Sequence, residues 1–260
     1  MNYKELADAV MAIAQEAGEA ILEIYTQAEG IVIEKKADNS PLTIADKTAN
    51  DIICKGLENL AEKHPIISEE NKAIPYEKRK DYPYCWLVDP LDGTKEFIKR
   101  NGEFTVNIAL IHEEQIVFGV VYAPVLEEMY WAAKGEGAFL IKNGETTKLQ
   151  AATFSNTDKS LNLVCSRSHL NEDTQNFVNQ YDKPNLVATG SSLKFLILAK
   201  GEAHIYPRLA PTMEWDTGAA QIVLEEAGGS VLQNGTTTPL AYNKENLLNP
   251  FFLAYGNLVK

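Results

Sequence analysis

The sequence predicts a mixed α and β protein, and three observations support this. Apolar residues recur at three- and four-residue steps from Tyr3 to about Thr26, which is the period of an amphipathic helix. A second helical pattern follows this first one. Short apolar runs separated by turn residues then continue to about residue 150, and they favour an antiparallel sheet. After residue 153 strands alternate with helices, which is typical of an α/β arrangement. We therefore expect two parts, residues 1–152 and 153–260.

The composition is that of a globular protein without a general affinity for polyanions. The 260 residues are 45% hydrophobic and 23% charged, with a formal net charge of -12. This charge argues against binding a nucleic acid polymer, so an anion must be held locally by metal ions or a few basic residues. Three well-separated cysteines indicate reduced thiols. With a charged N-terminus and no apolar run near ~18 residues, we expect a cytoplasmic protein without a transmembrane segment.

A second helix is predicted from Thr43 to about Glu62. Thr43 and Asp46 have the spacing of a capping box, so Asp46 is interpreted as a first-turn charge that complements the helix dipole. Between the two helices, residues 31–33 are a short strand candidate, and residues 35–41 have the composition of a loop.

Two short apolar strands are each predicted to end in acidic residues. Residues 65–68 run into Glu69 and Glu70, of which only one can easily reach a given site, because adjacent strand residues point to opposite faces. The next strand ends at Asp89, and Asp92 follows across a predicted turn. Two carboxylates at this spacing can point toward one position. A Mg²⁺ ion would suit that position, because it prefers oxygen ligands. A strand followed by an ordinary Asp-Gly turn explains these residues equally well.

The remaining elements are predicted from the same patterns. Residues 71–83 are polar and contain two prolines, so an irregular connection is expected there. Asp216 is interpreted as the N-cap of the last predicted helix. The other predicted strands are residues 104–111, 115–123, 129–133, 138–141, 161–165, 185–188 and 203–206, and the other predicted helices are residues 171–180, 193–199 and 216–227.

Three segments together resemble the inositol monophosphatase superfamily of Mg²⁺-dependent, lithium-sensitive phosphatases. They are Ser68-Glu69-Glu70, Asp89-Pro90-Leu91-Asp92-Gly93-Thr94 and Trp215-Asp216. Residues 36–41, 95–104, 166–169 and 190–195 resemble, more narrowly, the CysQ-type 3′(2′),5′-bisphosphate nucleotidases. The resemblance implies a layered αβαβα sandwich, the phosphatase fold of inositol monophosphatase and fructose-1,6-bisphosphatase.

The resemblance also implies a role for each residue of these segments. Asp46, Thr94 and Glu69 would be the catalytic set, in which Asp46 holds Thr94 and Thr94 orients a metal-activated water for in-line attack. Backbone N–H groups of Gly93 and Thr94 would receive phosphate oxygens. Two or three Mg²⁺ ions would be held by Glu69, Asp89, Asp92, Asp216 and the backbone carbonyl of Leu91. All of these ligands except Asp89 would also contact the substrate.

The reaction implied is the hydrolysis of adenosine 3′,5′-bisphosphate to AMP and phosphate, with the sulfated precursor as a further candidate substrate. The 5′-phosphate must then be held but not cut. By resemblance, the nucleotide and its 5′-phosphate are surrounded by His169, Ser191, Lys194 and Arg208. An acidic protein needs such groups to bind a doubly phosphorylated ligand. The alternative is that Lys194 and Arg208 are solvated surface charges.

Two other functions stay open at this point. The same chemistry could act on inositol monophosphate or a sugar bisphosphate, against which residues 166–169 and 190–195 argue. The fold could also serve as a non-catalytic regulatory or RNA-machinery partner, which the net charge disfavours. By resemblance, peripheral association with the cytoplasmic face of the inner membrane is also open, and the sequence leaves the oligomeric state undetermined.

Overall fold

The computed structural model describes residues 2–27, 40–165 and 171–259, and these residues form five layers. A helix pair, a seven-stranded sheet, a second helix pair, a five-stranded sheet and a single helix follow one another across the molecule. This order confirms the αβαβα sandwich that the resemblance implied. The strand candidate at residues 31–33 lies outside the described residues.

The described residues contain seven helices and fourteen strands. The helices are α1 (Tyr3–Gln27), α2 (Pro41–Glu58), α3 (Tyr76–Arg79), α4 (Thr94–Lys99), α5 (Glu172–Val178), α6 (Leu193–Ala199) and α7 (Glu214–Glu226). The strands are β1 (Ile66–Ser68), β2 (Tyr84–Asp92), β3 (Thr105–His112), β4 (Gln115–Ala123), β5 (Glu128–Ala133), β6 (Gly137–Lys142), β7 (Glu145–Lys148), β8 (Thr153–Ser155), β9 (Asn162–Cys165), β10 (Asn185–Ala188), β11 (Ile205–Arg208), β12 (Ser230–Gln233), β13 (Phe252–Tyr255) and β14 (Asn257–Val259).

The larger sheet contains β1 to β7 in sequence order. Strands β2 to β7 pair antiparallel, but β1 pairs parallel to β2, so the prediction of a purely antiparallel sheet was wrong at this edge. The connection from β1 to β2 contains α3 and is long enough to return the chain to the same end of the sheet. The irregular connection predicted at residues 71–83 therefore includes a helix.

The first helix pair packs on one face of this sheet. Helix α1 buries Ala7, Val10, Ala14, Ala17 and Ile21, which lie on one face at helical spacing. Helix α2 begins earlier than predicted, because the side chain of Ser40 accepts a hydrogen bond from the N–H of Thr43 at 3.2 Å and Pro41 occupies the first turn. Asp46 therefore lies in the second turn, and its interpretation as a capping-box acid was wrong.

The second helix pair, α6 and α7, lies between the two sheets. Helix α7 packs closely on the larger sheet, since a Cβ atom on Gly119 of β4 would lie 2.7 Å from the carbonyl oxygen of Ala219. The smaller sheet has the order β10-β9-β11-β13-β12, with β9, β10 and β11 parallel and β13 antiparallel to its neighbours. Helix α5 covers its other face.

The sequence did not predict several short strands. All four residues of β7, Glu145–Lys148, are exposed and polar, so no hydrophobic pattern marks this strand. Strands β8, β12, β13 and β14 were also missed. Across the described ranges, no helix has the length and apolar character needed to cross a bilayer.

Candidate active site

Three acidic side chains from distant parts of the chain meet at one point. Glu69 follows β1, Asp89 lies in β2, and Asp216 lies in the first turn of α7. One carboxylate oxygen from each falls within 4.8 Å of the others. The parallel pairing of β1 with β2 brings the first two together, and the N–H of Glu69 donates to the carbonyl oxygen of Val88 at 3.2 Å. Glu70 is not a member of this cluster, as the alternation of strand residues led us to expect.

The sequence predicted a turn directly after Asp89. In the structure Asp89 lies within the strand instead. Strand β2 continues to Asp92, and its pairing with β3 shifts register between Asp89 and Asp92. This β-bulge replaces the expected turn, because Pro90 cannot donate to the ladder and is tolerated where the pairing is interrupted. The side chain of Asp89 is 1% exposed and accepts the N–H of Leu91 at 3.1 Å. Asp89 itself still pairs with Asn107 of β3, so the bulge begins only after it.

The close approach of these acids raises their pKa values. Burial, and then the negative charges of Asp92, Glu69 and Asp216, raise the pKa of Asp89 well above its usual value. Burial and Asp92 likewise raise the pKa of Asp216 to about 7. Asp216 is not the N-cap that the sequence indicated. It is the third residue of α7, and its carboxylate accepts the N–H of Met213 at 3.0 Å, which partly offsets the rise.

The carboxylate of Asp92 joins the two halves of the chain. Its Oδ2 atom accepts hydrogen bonds from the hydroxyls of Ser191 at 2.6 Å and Ser192 at 2.9 Å. The Ser192 hydroxyl also lies 2.9 Å from the backbone carbonyl oxygen of Asp216, and its one proton can be donated to either acceptor. Asn107 of β3, which is 1% exposed, donates to Ser192 at 3.0 Å. Asp92 and Asp216 are thus tied to each other through one hydroxyl.

Asp46 lies near this cluster, and Thr94 begins the helix that follows Asp92. Asp46 is buried in α2, and its charge is one of those that raise the pKa of Asp89. Thr94 is the first residue of α4, which contacts α2. The preceding Gly93 has φ +100, and a Cβ atom there would lie 3.0 Å from the carbonyl oxygen of Glu103. Gly93 is therefore required for the turn that presents Thr94.

A cavity of about 190 Å³ adjoins the acidic cluster. It brings together residues of β2, α4, α6, β11 and α7, which come from both halves of the chain. Six candidate site residues line it, namely Asp92, Gly93, Ser191, Lys194, Arg208 and Asp216.

Lys194 is not a solvated surface charge. Its side chain is 8% exposed, and Nζ donates to the carbonyl oxygen of Ser191 at 3.0 Å. Burial lowers the pKa of Lys194 to about 8, although Asp92 acts in the opposite direction. Arg208 donates from Nη2 to the carbonyl oxygen of Pro211 at 2.7 Å, and its buried Nε has no hydrogen-bond partner among the described residues. His169 lies outside the described residues.

Sequence reasoning missed the polar residues that hold the acids in place. Asn107 lies in a run that the sequence predicts only as an apolar strand, although a polar amide within such a run is itself a signal. Asn50 lies four residues after Asp46 in α2 and accepts the hydroxyl of Ser68 at 2.6 Å. Ser68 precedes Glu69, so this contact fixes the end of β1 relative to α2.

The donor set at this site fits a hard divalent cation. Glu69, Asp89 and Asp216 offer only carboxylate oxygens, which Mg²⁺ prefers, and their mutual repulsion favours a cation among them. The buried position of Asp89 strengthens this argument, since an ionised buried carboxylate needs a compensating charge.

The chain resembles known proteins over nearly its whole length. The profile of the inositol monophosphatase family matches residues 2–251. The 3′(2′),5′-bisphosphate nucleotidase CysQ of Escherichia coli O157:H7 is 43% identical over 248 residues, which are 95% of this chain and 98% of that protein. The crystal structure of CysQ from Bacteroides thetaiotaomicron superimposes with a TM-score of 0.89 at 40% identity, covering 98% of each chain. An inositol monophosphatase from Zymomonas mobilis shares the fold, with a TM-score of 0.79 at 22% identity and coverage of 99% of this chain and 94% of that one.

Proposed function

The chain belongs to the inositol monophosphatase family, and we propose that it uses Mg²⁺ to hydrolyse the 3′-phosphate of adenosine 3′,5′-bisphosphate. Its enzyme class is 3′(2′),5′-bisphosphate nucleotidase, a phosphatase, on the strength of 43% identity over 95% of the chain to CysQ. The observation that carries the mechanism is the meeting of Glu69, Asp89 and Asp216 beside a cavity that is lined by three basic side chains, those of Lys95, Lys194 and Arg208.

The acidic cluster supplies the reacting end of the site. Glu69, Asp89, Asp92, Asp216 and the carbonyl of Leu91 would hold two or three ions. Bound Mg²⁺ would neutralise the scissile phosphate and lower the pKa of a coordinated water. Thr94, held by Asp46, would orient this water for in-line attack. The N–H groups of Gly93 and Thr94 would receive phosphate oxygens.

The basic end of the cavity would hold the 5′-phosphate. Lys194 and Arg208 line the same cavity as the proposed metal ligands Asp92 and Asp216, so a second phosphate could be held there while the first meets the metals. The partly unsatisfied guanidinium of Arg208 can donate to a phosphate oxygen. The proposal includes the sulfated precursor as a second substrate, and it places the enzyme in the cytoplasm with small nucleotides as its ligands.

A substrate panel tests this proposal. Phosphate release is measured at saturating Mg²⁺ on the 3′,5′-bisphosphate, adenosine 3′-monophosphate and inositol 1-phosphate, with and without Li⁺. We expect the bisphosphate to have the highest kcat/KM, because both of its phosphates would be bound, and Li⁺ to inhibit its hydrolysis. Faster turnover of inositol 1-phosphate would instead assign the chain to the inositol phosphatases.

The variant Asp89→Asn tests whether the chain is an enzyme or a non-catalytic regulatory partner. It removes a proposed metal ligand worth several kcal/mol to the transition state, so kcat/KM should fall by more than about 100-fold. Asp51→Asn, an exposed acid on the helix of Asp46, is the control and should leave kcat/KM unchanged. Unchanged turnover in Asp89→Asn would favour the regulatory or RNA-machinery alternative.

A further inference from the structure

A second buried carboxylate lies two residues before Asp216. Glu214 is 0% exposed, and its carboxylate accepts the N–H of Asn243 at 2.6 Å and the N–H of Lys244 at 3.1 Å. The ammonium group of Lys244 also donates to it. A buried charge with three donors is costly to lose, because its removal leaves the half-buried ammonium of Lys244 and two backbone N–H groups without this partner.

The same segment holds the first turn of α7 at several further points. The N–H of Glu214 donates to the carbonyl oxygen of Leu247 at 2.9 Å, and Met213 forms a β-bridge with Leu248. The side-chain amide of Asn249 donates to the carbonyl oxygen of Met213 at 2.9 Å and to the hydroxyl of Thr217 at 3.0 Å. We call residues 243–249 the α7 clamp.

The α7 clamp is anchored in turn to the first half of the chain. The guanidinium of Arg79, at the end of α3, donates to the side-chain carbonyl of Asn243 at 2.7 Å and to the backbone carbonyl of Glu245 at 2.9 Å. Asn243 returns a hydrogen bond to the carbonyl of Arg79 at 2.9 Å. Because α3 follows Glu69 in the connection to β2, the α7 clamp links the segment that carries Glu69 to the helix that carries Asp216.

We propose that Glu214 and Asn249 are positioning residues, through which the α7 clamp fixes Asp216 at the distance from Glu69 and Asp89 that Mg²⁺ binding requires. The inference rests on the proposed function, in which Asp216 is a metal ligand. Outer partners that orient metal ligands contribute about 10–100-fold to metal affinity in other proteins. A small shift of the first turn of α7 would move Asp216 directly, since the carboxylate is held by the N–H of Met213.

The test uses the whole chain stripped of metal and two variants that break the contact between α7 and its clamp, Glu214→Gln on the helix and Asn249→Ala in the α7 clamp; both are called clamp variants below. The first removes a charge and keeps the shape, and the second removes hydrogen bonds without changing charge. Glu128→Gln is the matched control, because Glu128 is also buried and paired with a lysine, Lys142, at 2.8 Å, but belongs to β5 outside the site. Mg²⁺ affinity is measured by calorimetry, and thermal stability is measured by thermal unfolding. The constants kcat and KM are measured by steady-state kinetics at saturating Mg²⁺.

We expect both clamp variants to bind Mg²⁺ about tenfold more weakly, with kcat lowered and KM for the nucleotide within about twofold of wild type. The control should unfold at a lower temperature with unchanged Mg²⁺ affinity. Clamp variants that lose thermal stability but bind Mg²⁺ like wild type would overturn the inference. If Glu214→Gln does not fold, Asn249→Ala decides the outcome. A wild-type protein that binds no Mg²⁺ would contradict the proposed function itself.

Discussion

At the scale of single residues, the hydrogen bonds of Asp92 connect the two halves of the chain at the candidate site. Its carboxylate is shared by Ser191 and Ser192, and Thr105 contacts the hydroxyl of Ser191 at 2.6 Å. Ser191 has φ 48, a left-handed conformation that is uncommon for residues other than glycine. The turn before α6 is thus held in an unusual conformation by contacts to the other half of the chain, which is typical of functional sites.

Lys194 gives the site a pH dependence that can be measured. Burial lowers its pKa to about 8, so the free enzyme loses this positive charge as the pH rises through 8. If only the protonated form holds the 5′-phosphate, KM for the 3′,5′-bisphosphate should rise about tenfold between pH 7 and pH 9. Steady-state kinetics at saturating Mg²⁺ would measure this.

Two comparisons isolate the effect to Lys194. Adenosine 3′-monophosphate lacks the 5′-phosphate, so its KM should not show the rise. Lys194→Arg keeps its charge across this range and should flatten the profile for the bisphosphate, because arginine stays protonated. An equal rise of KM for both nucleotides would exclude Lys194 as its cause.

At the scale of elements, α7 does most to join the site to the core. Its first turn carries Glu214 and Asp216, and it packs on the larger sheet through Gly218, Ala219 and Ile222. Near its other end, Glu225 is partly buried and accepts the side-chain amide of Gln221 at 2.9 Å. An acid at a helix C-terminus also meets the negative end of the helix dipole.

Glu225 should make the protein less stable as the pH rises. Burial, and then the charge of Glu226, raise its pKa to about 7. Between about pH 4.5 and pH 7 the unfolded chain releases this proton while the folded protein retains it, so stability falls as pH rises and the loss is complete above 7. Glu225→Gln should therefore unfold about 2–5 °C higher than wild type at pH 8.

The gain should disappear at pH 4.5, where the wild-type carboxyl group is protonated in the folded protein. Thermal unfolding at the two pH values measures it, with Glu16→Gln, an exposed position in the interior of α1, as the control that should change neither value. A gain of equal size at both pH values would show that ionisation of Glu225 is not the cause.

At the scale of the whole molecule, the two parts of the chain share one core. A single hydrophobic cluster includes Leu87 and Val121 of the larger sheet, Val223 of α7, and Tyr206 and Phe252 of the smaller sheet. The acidic site also lies where the two parts meet, because Glu69 and Asp89 belong to the first part and Asp216 belongs to the second. Folding of either half alone would leave this shared surface exposed.

We therefore expect one cooperative unfolding transition for residues 1–152 and 153–260 together. Tryptophan fluorescence reports on both parts, through Trp86 and Trp131 in the first and Trp215 in the second, and it should coincide with circular dichroism. Mg²⁺ at 100 times its Kd should stabilise the folded state by about 2.7 kcal/mol and shift both signals together. Two separate transitions would mean that the two parts are independent domains.

The sequence by itself determined the local features of this protein. Helical and strand periods identified most elements, because burial of one face imposes a repeat that neighbouring residues reveal. Residues 185–188 and 193–199 were predicted with the bounds that β10 and α6 have. The motifs around Glu69, Asp89 and Asp216 indicated the family, since they lie in short continuous segments.

Tertiary structure alone decided the features that depend on distant partners. The parallel pairing of β1, the bulge after Asp89 and the burial of Lys194 follow from neighbours that local patterns do not encode. The same holds for Asn107, Ser192 and Glu214, whose hydrogen bonds reach segments far away in the sequence. Local periodicity records which face of an element is buried, but the partner of a buried polar group is fixed only when the layers pack against each other.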